Sequence, residues 1–551
     1  MKKSIVNSAL LFSAALAQNV IAQEKPNILW LVCEDISPLL SFYGDSTAHT
    51  PNLDKLAKES MIFDNCYTTV GVSAPSRSCI ITGMYPTSIG TMHMRTSHDI
   101  NSLGKRQYDT TSICNDLAGN PIREYSAVIP DYIKCFTEYL RNKGYYCVNR
   151  DKTDYQFAAP VTAWNQNDLK ASWENCPAGK PFFAVYEFDI THESKVWLNK
   201  KLPQTVSSQK VPLPPYFPED SIVRQDVARV YSNIELLDKQ IGVAIQKLKD
   251  AGLYDKTIIM FCSDNGGPLP RGKREVYDSG LKLPFIMRFP KGVNAGRVNR
   301  MISFVDLAPT TLSLAGIKPP KYMQGEAFLG KYKSKPRKYI FGSSDRFDNV
   351  IDRIRIVRDN RYLFVKNYYP QFPKYMDNFY RNNMDMMKQM LLLRDEEKLT
   401  PPVALWFRKS KTKEEFYDCQ TDPHNMNNLI ENPRFADKII EMRIVLDNWE
   451  NEVGDMGSIP EGDMIAKMWP NNTQPTTETP IISISKNILK LSDSTHGASV
   501  AYILSDKKIK PTIYSEWQLY HRPVSLGDAK YVYVIANRIG FRDSEIIERE
   551  L

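Results

Sequence analysis

Five stretches of the chain are apolar at nearly every position: NILWLVC (27–33), YYCVN (145–149), PFFAVYEF (181–188), TIIMFC (257–262) and PFIMRF (284–289). A strand with one wet face alternates, so unbroken runs imply a sheet covered on both sides, which is the habit of parallel sheets. Between residues 222 and 250, Val227, Val230, Ile234, Leu237, Ile241, Ile245 and Leu248 recur at three- and four-residue steps, and Gly252 follows as a stop. That spacing predicts a long amphipathic helix whose stripe packs into a core. Strands alternating with helices predict an α/β domain with a large, mostly parallel sheet sandwiched by helices. In such sheets ligands sit beyond the carboxyl ends of the strands.

At 551 residues the chain is too long for one average domain. Residues 1–22 combine a lysine pair, a short apolar run and small residues at Val20 and Ala22, the layout of a cleaved signal peptide, which implies a periplasmic or secreted protein. No later stretch is apolar enough for long enough to span a bilayer. The α/β domain is expected over 23–337. A smaller α+β region follows over 338–470, with a hairpin around Asp359-Asn360 in RIRIVRDNRYLFVKN and a helix through FADKIIEMRIVLDNWE. A Thr/Pro/Asn-rich linker occupies 471–480, and a small β-sandwich-like module ends the chain over 481–551. In that module Trp517 and Tyr520 read either as sugar-stacking rings or, better, as core or docking residues. The net charge of +8 is spread along the chain, which argues against a nucleic-acid binder. Nine cysteines without a CxxC spacing give neither a zinc site nor a disulfide framework, and read as buried apolar side chains.

Three of the apolar runs end in polar residues. The first stops at Glu34-Asp35, the fourth at SDNGG (263–267), and the third leads into DITHES with His192. Oxygen-bearing side chains delivered from two strand ends can converge on one hard divalent cation. Taken alone, Asp264-Asn265-Gly266 reads equally as a turn.

The stretch SAPSRSCIITG (73–83) places Ser73, Pro75 and Arg77 in a (C/S)-x-P-x-R pattern, followed by Thr82-Gly83. Together with PNILWLVCED (26–35), TPNLDKLAKES (50–60), SDNG, GKREVYDSGLKLPFI (272–286), FVDLAPTTLSLAGI (304–317) and FYDCQTDPHNMNNL (416–429), it resembles the formylglycine-dependent (type I) sulfatases of the alkaline phosphatase-like superfamily, over most of residues 25–470. The resemblance implies that Ser73 is the precursor of a formylglycine, made by a radical maturing enzyme before export. It further implies that Glu34, Asp35, Asp264 and Asn265, with an oxygen of residue 73, hold a metal, Ca²⁺ ahead of Mg²⁺. Glu34 stands where the family has an aspartate, a change that a flexible Ca²⁺ shell accommodates.

By the same resemblance Arg77, Lys152, His192 and Lys273 surround the sulfate, where fixed cations stabilise the charge that spreads over its oxygens. The hydrated aldehyde attacks sulfur, and His192 or Lys273 protonates the departing sugar oxygen. Lys152-Thr153-Asp154 departs from the family's Lys-x-His, so Asp154 takes a catalytic or structural role.

GMYPTSIGTMHMRT (83–96) resembles a polysaccharide-sulfatase branch from glycan-degrading bacteria. It points to His93 and Arg95 as sugar contacts, against the plainer reading of a packed histidine and a surface charge. Asp345, Arg346 and Asp348 in SSDRFDN (343–349) read as the rest of the sugar pocket or as a polar turn. The expected substrate is a sulfated carbohydrate attacked from its end, an O-sulfated galactose or N-acetylgalactosamine unit ahead of N-sulfated glucosamine. A superfamily phosphatase is the rival enzyme, disfavoured because two-zinc sites need more histidines than this chain offers. A catalytically dead glycan-binding homologue is the non-enzymatic rival.

Overall fold

The computed structural model describes residues 25–108 and 112–551, and the expected signal peptide lies outside the described residues. Its centre is an eight-stranded sheet in the order 296–298, 60–63, 285–288, 257–263, 27–33, 182–188, 146–150, 166–167. All five apolar runs are strands of this sheet. Every pairing is parallel except those of Phe285–Arg288, which runs antiparallel to both of its neighbours.

The central register decides where chemistry can occur. Cys33 lies opposite both Phe188 and Ser263, so three parallel strands end level and hand their next residues to the same edge. The long helix, Ser221–Asp250, starts where the Asp220 side chain accepts from the backbone N–H groups of Ile222 and Val223. Its stripe of Val227, Ile234, Leu237, Ile241 and Leu248 packs on one face of the sheet with Leu29, Leu31 and Phe261. The other face is filled by Trp30, Phe136, Trp164 and Phe183. Each such buried side chain contributes about 1.5–3 kcal/mol, enough in sum to hold polar groups at the sheet's edge against their solvation.

A second, four-stranded antiparallel sheet follows in the order 340–344, 354–358, 362–367, 414–418. The expected hairpin is present, with the Asp359 carboxylate accepting from the N–H groups of Arg361 and Tyr362 at 2.8 and 2.6 Å. Helix Ala436–Val453 lays Ile439, Met442, Leu446 and Trp449 on Val357, Phe364 and Phe416 of that sheet.

The last residues form a three-stranded and a four-stranded sheet that share a core of Leu489, Leu491, Val500, Val532 and Val534. The opposite face of the second sheet docks Trp517, Tyr533 and Ile535 on Leu103 and Val161 of the large domain. Trp517 is buried there, so of its two expected readings it takes docking, while Tyr520 packs against the module's own core. The 471–480 stretch is itself docked: Gln474 donates to the Gly540 carbonyl at 3.2 Å, and the Thr477 N–H to that of Arg542 at 2.9 Å. All nine cysteines are free, and all but Cys114 and Cys176 are buried. Among the described residues no helix is long and apolar enough to cross a membrane.

Candidate active site

Ser73 opens the helix Ser73–Thr82, with Val72 extended before it and Gly83 closing it in the left-handed region at φ 70°. Pro75 fits in the first turn because its missing N–H has no intrahelical partner to lose. The Ser76 hydroxyl donates to the Asp264 carbonyl at 2.6 Å, and this bond ties the helix start to the loop beyond strand 257–263.

The carboxylates of Glu34, Asp35 and Asp264 present oxygens that all lie within 4.8 Å of one another, every one buried. Asn265 joins them: its Nδ2 donates to Asp35 Oδ1 at 2.8 Å, and its Oδ1 accepts from Ser73 Oγ at 3.0 Å. Asp35 holds a left-handed backbone (φ 54°), uncommon for a residue with a side chain and the kind of strain found at functional sites. Burial pushes Asp35 up to about 6, although Lys273 opposes the shift. Burial acts on Glu34 in the same sense, but Lys152, His192 and Arg77 outweigh it and hold Glu34 below the usual carboxylate range. Crowded, buried, all-oxygen donors of this kind fit a hard divalent cation, which would relieve their mutual repulsion.

Cations ring the nest, in two positions. Lys152 and His192 line an open cleft of about 420 Å³, together with Ser73, Glu34, Asp154 and Arg95. Arg77 and Lys273 stand behind the carboxylates instead. Arg77 donates Nε to Asp264 at 3.1 Å and both terminal nitrogens to Glu187 at 2.7 and 2.9 Å. Burial works against its charge, but Glu187 and Asp264 more than offset that. Lys273 Nζ reaches both Asp35 oxygens at 2.9 and 2.7 Å, and Glu193 at 3.4 Å. Of the two expected proton donors, His192 is therefore the one facing the cleft. Its Nδ1 lies 2.8 Å from Ser194 Oγ and its Nε2 3.8 Å from Glu34. Burial, with the charges of Lys273 and Lys152, lowers its pKa to about 3, so the ring is neutral near pH 7. Asp154 lines the cleft and its pKa is raised by burial.

Three partners escaped the sequence reading. Glu187 clamps Arg77 and is pushed up by burial to about 7. Glu193 donates its backbone N–H to Asp35 at 2.6 Å and grips the Arg274 fork at 2.8 Å on each oxygen. A signal for the first was present: a glutamate inside an otherwise apolar strand run needs a buried partner.

The five expected sugar contacts separate. Arg95 lines the cleft, its Nε donating to Asp348 Oδ1 at 2.7 Å and its guanidinium lying 4.9 Å from the Tyr380 ring centre. Asp348 supports it from beneath, and is also bonded by Arg274 at 3.1 Å. Asp345, Arg346 and His93 are not among the residues that line the cleft, and their partners lie elsewhere. Asp345 is paired with Arg355 at 2.9 Å. Arg346 grips Glu461 at 2.5 and 2.7 Å and also donates to the Met94 and Asp348 carbonyls. His93 Nδ1 accepts from the Arg346 N–H at 3.3 Å, and burial pushes its pKa down to about 4.

A family model described as Sulfatase matches residues 26–317, and one described as N-sulphoglucosamine sulphohydrolase, C-terminal, matches residues 271–397. An ulvan-active sulfatase of Formosa agariphila is 43% identical over 564 aligned positions, covering 95% of this chain and 91% of that protein. Human N-sulphoglucosamine sulphohydrolase is 26% identical, covering 81% and 94%. Among solved structures, a 2-O GAG sulfatase superposes with a TM-score of 0.55 at 18% identity, over 78% of this chain and 93% of its own. A phosphonate monoester hydrolase from Silicibacter pomeroyi gives 0.54 at 15% identity, over 85% and 99%. These two show the shared alkaline phosphatase-like fold. The family model spans the strand ends that build the nest, and with the near full-length relative it establishes that the chain belongs to the sulfatase family and is a sulfatase.

Proposed function

We propose that this sulfatase removes O-linked sulfate from the end of a sulfated polysaccharide, using Ser73 converted to formylglycine and a Ca²⁺ ion. The observation that carries the reading is the meeting of Ser73 Oγ with Glu34, Lys152 and His192 in one cleft, backed by the buried carboxylates of Asp35 and Asp264. The aldehyde left by oxidation of Ser73 supplies on hydration a stronger nucleophile than serine, and Ca²⁺ held by Glu34, Asp35, Asp264 and Asn265 supplies positive charge beside it.

The chain's own residues do the rest. Lys152 presents its ammonium to the sulfate oxygens, where charge gathers as the S–O bond breaks. Arg77 and Lys273 hold Asp264 and Asp35 in register from behind, so they position the nest and do not touch the sugar. His192, neutral and at the cleft wall, donates a hydrogen bond to the bridging oxygen and stabilises the charge that gathers there, while the leaving oxygen takes its proton from water. Arg95 meets the sugar's hydroxyls. Asp154, its pKa raised by burial, lines the cleft beside the nucleophile and orients it.

For the substrate, the 43%-identical relative named as ulvan-active supports ulvan. The galactose-type unit remains a second reading, favoured by more distant relatives named N-acetylgalactosamine-6-sulfatase, 25–26% identical over about half of this chain. A signal peptide, export to the periplasm or beyond, and maturation by a radical enzyme belong to the same proposal. The test is sulfate release by protein co-produced with a maturing enzyme, offered ulvan, galactose 6-sulfate, N-acetylgalactosamine 6-sulfate, N-sulfoglucosamine and a phosphonate monoester. Release from ulvan is expected. Turnover of the phosphonate alone would replace this reading with the phosphatase one.

A further inference from the structure

The C-terminal module lies beyond both family models, which end at residues 317 and 397, and no step of the proposed reaction uses it. Its single tryptophan, Trp517, is 1% exposed and shares a core with the large domain. The module is anchored to the outer strands of the central sheet. Arg141, itself buried, donates Nη2 to the Trp517 carbonyl at 2.5 Å, and the Glu516 carboxylate accepts from Tyr146 Oη at 3.2 Å and from Gln166 Nε2 at 2.6 Å.

Between this anchored module and the cleft runs the loop 97–106. Leu103 of that loop is 5% exposed and shares a buried core with Ala501, Trp517, Tyr533 and Ile535 of the module. Arg106 Nε lies 3.1 Å from Asp543 Oδ2, and its Nη2 donates to the Ala159 carbonyl at 2.8 Å.

The other edge of the loop is paired to the segment that carries Lys152. The Ser102 N–H donates to the Asp151 carbonyl at 2.7 Å and the Thr153 N–H to the Ile100 carbonyl at 2.9 Å, and Asn101 and Lys152 form an isolated antiparallel bridge. The Thr153 hydroxyl adds a bond to the Ser102 carbonyl at 3.0 Å. Ser102 holds a left-handed backbone (φ 56°), a conformation that persists where its surroundings enforce it. Ser97, Ile100, Asn101 and Lys152 all line the cleft. A loop of this kind takes its position from what clamps it on either side, and here one clamp is the module and the other is the catalytic segment.

We infer that the C-terminal module is a brace for the cleft wall: by gripping Leu103 and Arg106 it fixes the loop 97–106, and through the loop it positions Lys152. Leu103, Arg106 and Asp543 are thus positioning residues, and none of them lines the cleft. The inference rests on the proposed meeting of Lys152 with the sulfate.

The test combines amide hydrogen exchange with steady-state kinetics on the full chain, co-produced with a maturing enzyme. Leu103→Ala and the milder Arg106→Ala should each speed exchange at Ser102 and Thr153 about tenfold, while the amides of strand 27–33 keep their protection. In the same variants kcat/KM for sulfate release from ulvan should fall about tenfold, more for Leu103→Ala than for Arg106→Ala. Arg106→Lys, which keeps a charge opposite Asp543, should recover part of both losses. If Leu103→Ala does not fold, Arg106→Ala decides. Unchanged exchange at Ser102 and Thr153, or faster exchange there with wild-type kcat and KM, overturns the brace, and so does a lower thermal midpoint as the only change. Absence of sulfate release by the wild-type protein overturns the proposed function instead, and exchange then judges the brace by itself.

Discussion

The molecule buries two clusters of charge of opposite character. Around Arg346 and Arg355 the pairing is closed: Arg346 grips Glu461, Arg355 takes Asp345 at 2.9 and 3.1 Å and Asp455 at 2.7 and 2.9 Å, and neither guanidinium lines the cleft. At the strand ends, Glu34, Asp35 and Asp264 crowd within 4.8 Å, and the cations that balance them are divided between the back of the nest and an open cleft. Burial alone therefore does not mark a functional charge. What marks it is like charges crowded together at strand ends, beside a space that a ligand can enter.

Four experiments press on that contrast. Ser73→Ala should lower sulfate release about a thousandfold or more with the thermal midpoint unchanged, because in the proposed mechanism the residue carries the reacting group and adds little packing; retained turnover would move the chemistry elsewhere. Arg346→Ala should do the reverse, costing about 3–5 kcal/mol in denaturant unfolding by stranding Glu461, while the folded fraction keeps its KM.

Calcium should stabilise the open cluster, by about 2.7 kcal/mol at a hundredfold excess over Kd, and Asp264→Asn should remove most of that gain. The gain should grow from pH 5 to pH 7. Asp35, raised by burial from 3.8 to about 6, favours the metal-free folded state while protonated; that contribution is present below 3.8 and is lost as pH rises through about 6, where the freed carboxylate becomes a ligand. A calcium-induced shift in Tm that is flat with pH would separate Asp35 from the metal. The smallest effect is expected from Arg95→Ala: KM about tenfold higher, kcat and Tm little changed, as suits a cleft-lining side chain outside the nest that is proposed to meet the sugar.

The sheet and the nest were legible because both are written locally. An unbroken apolar run followed at once by acids announces a covered strand and what it delivers, as at Glu34-Asp35 and Asp264-Asn265. Arg77 was legible through its spacing from Ser73. Its partner Glu187, 110 positions away, was not, because only the parallel register brings the two together. The same blindness left Asp345 and Arg346 open to two readings, pocket or polar turn: a polar turn reads alike whether it faces water or a buried partner, and Glu461 lies 115 positions beyond Arg346. The antiparallel direction of Phe285–Arg288 was likewise silent, since a covered strand has the same composition in either sense.

Ser73 is only 1% exposed, at the bottom of a cleft of about 420 Å³. The loop that closes over it, Asp264-Asn265, follows the strand paired to residues 27–33 and emerges from the ribosome some 190 residues after Ser73. At ordinary elongation speeds that interval lasts on the order of ten to forty seconds. On the proposed conversion of Ser73, a catalyst acting on this side chain would find it open during that interval or in a chain kept from closing, and the timing of biosynthesis would then set how many copies become active.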